Sequence, residues 1–385
     1  MINWFARAKE NIMKIDKQII GGNIEVLEID GDRVRVEREL RDTRPDRDWF
    51  YWAFRVTGAA GRTVTFTFPH KNRVGYFGAA VSHDQIHWKW TGKRKITVLE
   101  DESRLESFTY TFGEDENETY FAHDMVYVPA RFEQFCAANG LKIEELCLSN
   151  KGRSVPFTRF GSGDRKILLT SRHHACESTG THVMEAVFQS FIDEPLEGYE
   201  IVCVPFVDYD GVLDGDQGKH RLPHDHNRDY PLDGSESLYT SCAAIRRFVE
   251  ENHVPYAFDF HSPKHLGKLN NKVSIIYKLE EKVPELRRFA ELFSSKITSD
   301  AFPYDPENDM PPNTGWNLDT SETFARYLLE RPESRLAFTL ETPYFGEKDG
   351  SAVVTEASLS ALGKSFAAAL RDYISHDCPA LEGDQ

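Results

Sequence analysis

The sequence has 385 residues, of which 40% are hydrophobic and 12% aromatic, so it is long enough for two globular domains with sizeable cores. Its formal net charge of −16 argues against a nucleic-acid partner, which would need a basic surface. The sequence shows neither an apolar run long enough to span a membrane nor a signal peptide at its N-terminus, so we expect a cytoplasmic protein without a membrane partner.

The cysteines are scattered through the chain without paired spacing. Several lie in apolar runs such as Leu146-Cys147-Leu148, a setting typical of buried thiols. We therefore predict free thiols and no disulfide framework. The six positions are Cys136, Cys147, Cys176, Cys203, Cys242 and Cys378.

Short strands separated by turn residues are predicted in the first third of the chain. Residues 34–37 and 63–68 alternate apolar with polar side chains, and residues 50–56 and 108–112 are rich in aromatics. This spacing predicts an N-terminal antiparallel β-sandwich domain, which we place at residues 1–122.

From about residue 130, apolar strands alternate with helices, which indicates an α/β domain with a largely parallel or mixed sheet over residues 123–385. A stretch rich in Pro, Asp and Asn at 303–318 predicts a long surface loop, and such loops often cover sites. The predicted strands are 167–170, 201–207, 256–260, 273–277 and 336–341, and the predicted helices are 130–139, 181–192, 236–250, 284–296 and 356–374.

Three of these strands deliver residues that can bind or work with a divalent cation. His174 and Glu177 come just after the first strand, His261 follows the third, and Glu341 ends the last. Because sites in α/β domains gather at the carboxyl ends of strands, we expect these side chains to converge. Two imidazoles, one carboxylate and a separate carboxylate base are the parts of a zinc hydrolase.

The segment 224–230 offers groups for a substrate. Arg228 with Asn227 can clamp a planar carboxylate, and Asp225 can orient a zinc-bound imidazole. A rival interpretation makes His224 and His226 the metal ligands. Asn and Arg are poor metal ligands and good substrate ligands, which favours the first interpretation.

The order of these motifs is similar to that in the zinc carboxypeptidases related to carboxypeptidase A. The pieces are His-x-x-Glu, Asp-x-Asn-Arg, a strand ending Asp-x-His and a strand ending in Glu. A sandwich carrying the aromatic segment 46–52, followed by Leu146-Cys147-Leu148-Ser149, resembles the cytosolic carboxypeptidase branch. The resemblance implies a three-layer α/β/α catalytic domain with a mixed sheet that removes residues from the C-terminus of a peptide.

Carried over residue by residue, the resemblance implies a Zn²⁺ cofactor bound by His174, Glu177 and His261. It makes Glu341 the general base that activates water. The remaining assignments are Asp225 as the residue that holds His174, and Asn227 with Arg228 as the pair that holds the free carboxylate of the substrate.

The sequence departs from the family pattern in three places. Ala175-Cys176 stands where the family commonly has Pro-Gly, so Cys176 is either a buried space-filler, which we favour, or a thiol near the metal. Lys219 and Arg221 are both candidates for the Arg that stabilises the oxyanion, and we favour Arg221. The family's capping Tyr stays open among Tyr304, Tyr327 and Tyr344.

Arg326 follows an Ala, as does the Arg that faces the substrate side chain in cytosolic carboxypeptidases. On that interpretation Arg326 favours a terminal Glu or Asp, and the alternative is a solvated helix residue. Lys264, His265 and Lys268 add positive charge after His261, which also favours an acidic substrate.

The leading hypothesis is therefore a zinc metallocarboxypeptidase that acts on peptide or protein C-termini, with a preference for acidic residues. One alternative is a zinc amidase for a cell-wall peptide or an acylated amino acid. Another is a zinc-binding interaction protein without catalysis.

Overall fold

The computed structural model of the chain describes residues 12–44, 47 and 49–377. Asp46 and Asp48 of the aromatic segment, and Cys378, lie outside the described residues. The strands of the first part are β1 (Lys14–Asp16), β2 (Glu25–Asp30), β3 (Arg33–Glu37), β4 (Ala53–Thr57), β5 (Thr63–Phe68), β6 (Ala80–Ser82), β7 (Lys89–Trp90), β8 (Lys95–Val98), β9 (Arg104–Thr111) and β10 (Glu118–Ala122).

These strands form two five-stranded sheets with the orders β1-β4-β10-β6-β7 and β2-β3-β5-β9-β8. Every pair is antiparallel except β3 with β5. In β5 the threonines point outward, while Val64, Phe66 and Phe68 are fully buried, because successive side chains of a strand face opposite sides. Their aromatic partners include Phe108 of β9, Phe121 of β10 and Trp52, which directly precedes β4. The predicted sandwich is confirmed, with one parallel pair added.

The second part alternates helices and strands, as predicted. Its elements in chain order are α1 (Pro129–Ala138), β11 (Glu144–Leu148), β12 (Ser154–Gly161), β13 (Arg165–Ser171), α2 (Ser178–Asp193), β14 (Tyr199–Val204), α3 (Tyr209–Asp214), α4 (Thr240–Glu251), β15 (His253–His261), β16 (Ser274–Ile276), α5 (Val283–Lys296), α6 (Phe324–Leu329), β17 (Leu336–Glu341) and α7 (Glu356–Asp377).

Its seven strands form one mixed sheet in the order β11-β12-β14-β13-β15-β17-β16. The central strands β14, β13, β15 and β17 are parallel, and the outer strands run antiparallel to their neighbours. One face packs against α2, α5 and α7, and the other face packs against α4 and α6. Ile167 and Leu169 face the first layer while Leu168 faces the second, so the three-layer prediction is confirmed.

Strands β11 and β12 were not predicted. Two short helices, α3 and α6, were not predicted either. Each has six residues, which is too short for an apolar period to show in the sequence. The stretch 303–318 is a loop as predicted, apart from a 3-10 turn at Pro306–Asn308.

The sandwich contacts the loop between α3 and α4. The backbone N–H groups of Phe50 and Tyr51 both donate to Gln217 Oε1 at 3.3 Å. In return, the N–H groups of Gln217 and Gly218 donate to the Asp42 carboxylate at 3.1 and 2.7 Å. The first part of the chain therefore fixes the position of residues 217–218.

The predicted free thiols are confirmed at the five described cysteines, four of which are buried, while Cys147 is half-buried. Within residues 12–44, 47 and 49–377, no helix combines the length and apolar character needed to cross a membrane.

Candidate active site

The side chains of His174, Glu177 and His261 meet at the carboxyl edge of the large sheet. His174 Nδ1 lies 2.9 Å from Glu177 Oε1, and His261 Nδ1 lies 2.7 Å from Glu177 Oε2. The three side chains come together because of the strand order. His174 and Glu177 lie between β13 and α2, and His261 ends β15, the parallel neighbour of β13. One ligand atom from each residue falls within 4.8 Å of the other two.

This donor set fits zinc. Imidazole nitrogen and carboxylate oxygen are its usual ligands, and neighbouring corners of a zinc tetrahedron are about 3.4 Å apart. Burial by itself raises the pKa of the Glu177 carboxyl, but the charges of His174, Lys219 and His261 hold it well below its ordinary value. Glu177 is therefore ionised, as a metal ligand must be.

Each imidazole is oriented by a second carboxylate behind it. Asp225 Oδ1 lies 3.0 Å from His174 Nε2, as the resemblance implies, and Asp259 Oδ2 lies 2.6 Å from His261 Nε2. Such carboxylate–imidazole pairs turn the other ring nitrogen toward a metal and raise its basicity. Sequence reasoning did not assign Asp259 a role, although its place two residues before His261 on β15 was visible.

The Asp259 carboxylate is itself held in a buried network. Its Oδ1 lies 2.8 Å from His173 Nδ1 and accepts a hydrogen bond of 2.9 Å from Thr170 Oγ1. His173 Nε2 lies 2.7 Å from the Tyr230 hydroxyl, so both nitrogens of this ring have partners. His173 can also form a ligand group with Asp259 and His261, but its occupied nitrogens favour the first group.

Glu341 lies beside the three ligands, because its position on β17 pairs with His261 on β15. Its Oε2 is buried and has no hydrogen-bond partner among the described residues. Burial raises the pKa of the Glu341 carboxyl above its ordinary value, and the Glu177 charge adds to the rise while Lys219 opposes it. A raised pKa and an unused oxygen suit a general base.

The site opens into a cavity of about 310 Å³. Asp225, Asn227, Arg228 and Glu341 line it together with both histidine ligands, so most of the predicted site residues share one wall. Arg228 and Asn227 sit on a 3-10 turn at His226–Arg228, where Arg228 Nη1 donates to the Asn227 carbonyl at 2.6 Å. Asn227 Oδ1 accepts from the Phe324 N–H at 3.0 Å, which fixes the amide.

The two oxyanion candidates lie in different places. Lys219 lines the cavity, and its ammonium donates to Glu177 Oε1 at 2.5 Å. Arg221, which we favoured, does not line the cavity, because its guanidinium faces carboxylates on the other side of the loop. The nearest is Asp208 at 2.6 Å, followed by Asp42 and Asp216 at 3.4 Å each.

Arg326 also lies away from the cavity. It forms an ion pair with Glu330 at 2.5 Å and also donates to the Asp319 carbonyl, and its side chain is only 19% exposed, so it is not the solvated helix residue of the alternative interpretation either. Of the basic cluster after His261, Lys264 lines the cavity, whereas His265 is buried against aromatic rings. Lys268 does not line it either.

The other open questions concern the histidine pair, the tyrosines and the cysteine. Neither His224 nor His226 belongs to a ligand group among the described residues, and His226 stacks on a tyrosine ring. The three capping candidates, Tyr304, Tyr327 and Tyr344, do not line the cavity, where the aromatic residue is Trp316. Cys176 is fully buried and burial raises its thiol pKa well above the ordinary value, as expected for a space-filler.

Comparisons with known proteins agree with this architecture. The family model of the cytosolic carboxypeptidase N-terminal domain matches residues 15–123. A Zymomonas mobilis protein, named only as uncharacterized protein ZMO1242, is 24% identical over 359 residues, which cover 88% of this chain and 89% of the relative.

Two solved structures resemble almost the whole chain. A metallo-carboxypeptidase from Burkholderia cenocepacia has a TM-score of 0.75 at 18% identity, covering 95% of this chain and 100% of its own. A metallo-carboxypeptidase from Pseudomonas aeruginosa in complex with (2-guanidinoethylmercapto)succinic acid has a TM-score of 0.71 at 18% identity, covering 94% of this chain and 99% of its own. The chain thus has the metallo-carboxypeptidase fold. With the N-terminal match, this confirms the predicted resemblance to the zinc carboxypeptidases and supports a metallocarboxypeptidase.

We expect the purified protein to bind about one zinc ion per chain and the His174→Ala variant to lose most of that zinc, because two remaining ligands hold the ion poorly. Elemental analysis after gel filtration measures the ratio. His224→Ala is the matched control and should keep its zinc. Loss of zinc in the control alone would instead support the rival ligand pair.

Replacing Asp259 by Asn should weaken zinc binding about 10- to 100-fold, because the amide cannot fix and polarise His261 as the carboxylate does. Competition with a chromophoric chelator measures the affinity. The substitution keeps the size of the side chain, and an unchanged affinity would contradict a role for Asp259 behind the ligand.

Proposed function

We propose that the protein is a zinc-dependent carboxypeptidase that hydrolyses the C-terminal peptide bond of peptides or proteins and prefers acidic terminal residues. The observation that carries the proposal is the shared cavity. Its wall holds both histidine ligands, Glu341 as a base, and the Asn227–Arg228 pair that suits a free carboxylate. The match to a domain of cytosolic carboxypeptidases supports the cytoplasmic location that the sequence predicts.

In the proposed reaction, His174, Glu177 and His261 hold the zinc ion. When bound, zinc supplies a Lewis acid that polarises the scissile carbonyl and lowers the pKa of the attacking water. Glu341 takes a proton from that water through a carboxylate oxygen and passes it to the leaving amine. The unpartnered Glu341 Oε2 supports this role, because no protein donor competes for it among the described residues.

Lys219 is the residue we propose for stabilising the oxyanion, in place of Arg221. Its ammonium borders the cavity beside Glu177 and also donates to the Ser262 carbonyl at 3.2 Å, so it is fixed near the reacting group. Fixed cationic donors of this kind stabilise charge that develops in the transition state. The guanidinium of Arg221 instead forms ion pairs with Asp42, Asp208 and Asp216, which stabilise the loop.

The proposed preference for acidic residues rests on the charge of the cavity wall. Lys219, Arg228, Lys264 and Lys278 line it, against the carboxylates of Asp225 and Glu341. An excess of positive charge stands out in a chain with a net charge of −16. A cavity lined by one sign of charge concentrates ligands of the opposite sign.

Glu341→Gln should abolish peptide hydrolysis while leaving bound zinc unchanged, because the amide keeps the shape of the side chain but cannot accept a proton. A fall in rate of about 10²-fold or more is expected, measured with a synthetic dipeptide alongside zinc content. Full activity in this variant would reject Glu341 as the base. Inactive wild-type protein with stoichiometric zinc would instead favour a non-catalytic zinc protein.

Arg228→Ala should raise KM for peptides with a free C-terminus about 10- to 100-fold, since the guanidinium supplies two charge-assisted hydrogen bonds. The matched substrate is the same peptide with an amidated C-terminus, whose slow cleavage should not change. If wild-type protein cleaves both substrates equally well, the zinc amidase becomes the better description.

A further inference from the structure

A buried lysine lies in the floor of the cavity. Lys278 follows strand β16, in which Ile276 pairs with Thr339 of β17, and all three side chains line the cavity. Thr339 is two residues before Glu341, so both point to the same side of the sheet. Along β17, Glu341 and Thr339 are about 7 Å apart. Because β16 runs antiparallel to β17, Lys278 lies two residues beyond Ile276, further from Glu341 in the same direction.

Within the described part of the chain, the hydrogen-bond partner of Lys278 is a neutral amide. It is only 3% exposed, and its ammonium donates to Asn317 Oδ1 at 2.7 Å. Asn317 Nδ2 donates to the carbonyls of Tyr277 and Pro311 at 2.7 and 2.9 Å, which turns the amide oxygen toward the lysine. Among the described residues, no carboxylate lies within ion-pair distance of Lys278.

Among the residues that the structure describes, this arrangement leaves the Lys278 ammonium without a carboxylate in direct contact. An ammonium carries three donors, of which Asn317 uses one. A buried charge without a counter-charge is costly, so a carboxylate entering the cavity would gain from reaching it. The wall near Lys278 includes Ile276, Trp316 and Thr339, and the Glu341 and Asp319 carboxylates act on the lysine only from beyond ion-pair distance.

We propose that Lys278 is the specificity-determining residue that binds the side-chain carboxylate of a C-terminal Glu or Asp. The inference deepens the proposed carboxypeptidase function and rests on it. Lys278 takes the role that the sequence assigned to Arg326, whose guanidinium pairs with Glu330 outside the cavity. The α-carboxylate of the substrate goes to Arg228, which lies on the turn beside the zinc ligands.

The pKa of Lys278 provides a second way to test the proposal. Burial and the nearby Arg228 lower the pKa of Lys278 to about 8, with a smaller contribution from Arg326, while Glu341 and Asp319 oppose the change. The ammonium form binds a carboxylate and the neutral amine does not. The preference of the free enzyme for acidic termini should therefore decline as the pH rises through about 8.

The test compares kcat/KM for two peptides that differ only in a terminal Glu or Gln. Lys278→Met keeps the aliphatic stem and removes the charge, so it should lower kcat/KM for the Glu peptide on the order of 100-fold. The Gln peptide should change little. Arg326→Gln is the matched control and should leave the Glu-to-Gln ratio as in the wild type. Equal losses on both peptides in Lys278→Met would overturn the proposal.

Asn317→Asp separates recognition from a structural role of Lys278. The new carboxylate would neutralise the lysine and strengthen its bond to the loop, so recognition predicts a reduced Glu-to-Gln ratio in a stable protein. A purely structural role predicts a wild-type ratio, and that result would also overturn the proposal.

Binding distinguishes a failure of this inference from a failure of the proposed function. Calorimetry of the zinc-loaded protein with L-glutamate should show binding in the wild type that is lost in Lys278→Met. If the wild type cleaves no peptide but this difference remains, the hydrolytic function fails and the glutamate-binding role of Lys278 stands. If peptides are cleaved without preference for Glu, the function stands and the role of Lys278 fails.

Discussion

The buried carboxylate of Glu177 is the constraint on which the site depends. Each of its oxygens meets a cation or donor, since Oε1 faces His174 and Lys219 while Oε2 faces His261 and the Ser262 N–H. An ionised carboxylate inside a protein is stable only when charge and hydrogen bonds compensate for lost hydration. The segments that carry His174, Lys219 and His261 therefore meet at Glu177. A bound divalent cation would add to the charge that stabilises this carboxylate.

The sandwich contributes to that point through the loop that carries Lys219. The Asp42 carboxylate accepts from the Gln217 and Gly218 N–H groups, and Gln217 Oε1 accepts from the Phe50 N–H in return. Gly218 also lies against the segment that carries His174. A Cβ on Gly218 would approach the Ala175 nitrogen to 2.4 Å, and its φ of +83° also favours glycine. The described part of the sandwich thus does more than extend the chain, because it holds the loop whose lysine contacts Glu177.

The fold and the convergence of the candidate metal ligands were predictable because apolar runs in the sequence show where the strands end. Both His261 and Glu341 end predicted strands, which led us to expect them at one edge of the sheet, and the parallel pairing of β15 with β17 places them side by side. Loops follow no such rule. Lys219 and Arg221 are two residues apart on a loop and face opposite ways, which the sequence could not decide. Lys278 was missed because the predicted strand before it, at 273–277, does not alternate apolar and polar side chains, so the sequence did not show which face Lys278 extends.

The acidic selectivity that we propose has to arise inside the cavity and not at the surface. The chain is acidic overall, so its outer field repels an acidic peptide. At physiological salt that repulsion is screened over about 8 Å, and a substrate approaching the mouth feels mainly the local wall. There the lysines dominate, and poor hydration strengthens each contact. A single buried ammonium can therefore outweigh many surface carboxylates. Distance and solvent weaken the effect of the surface carboxylates on a bound substrate, whereas they hardly weaken the effect of the ammonium.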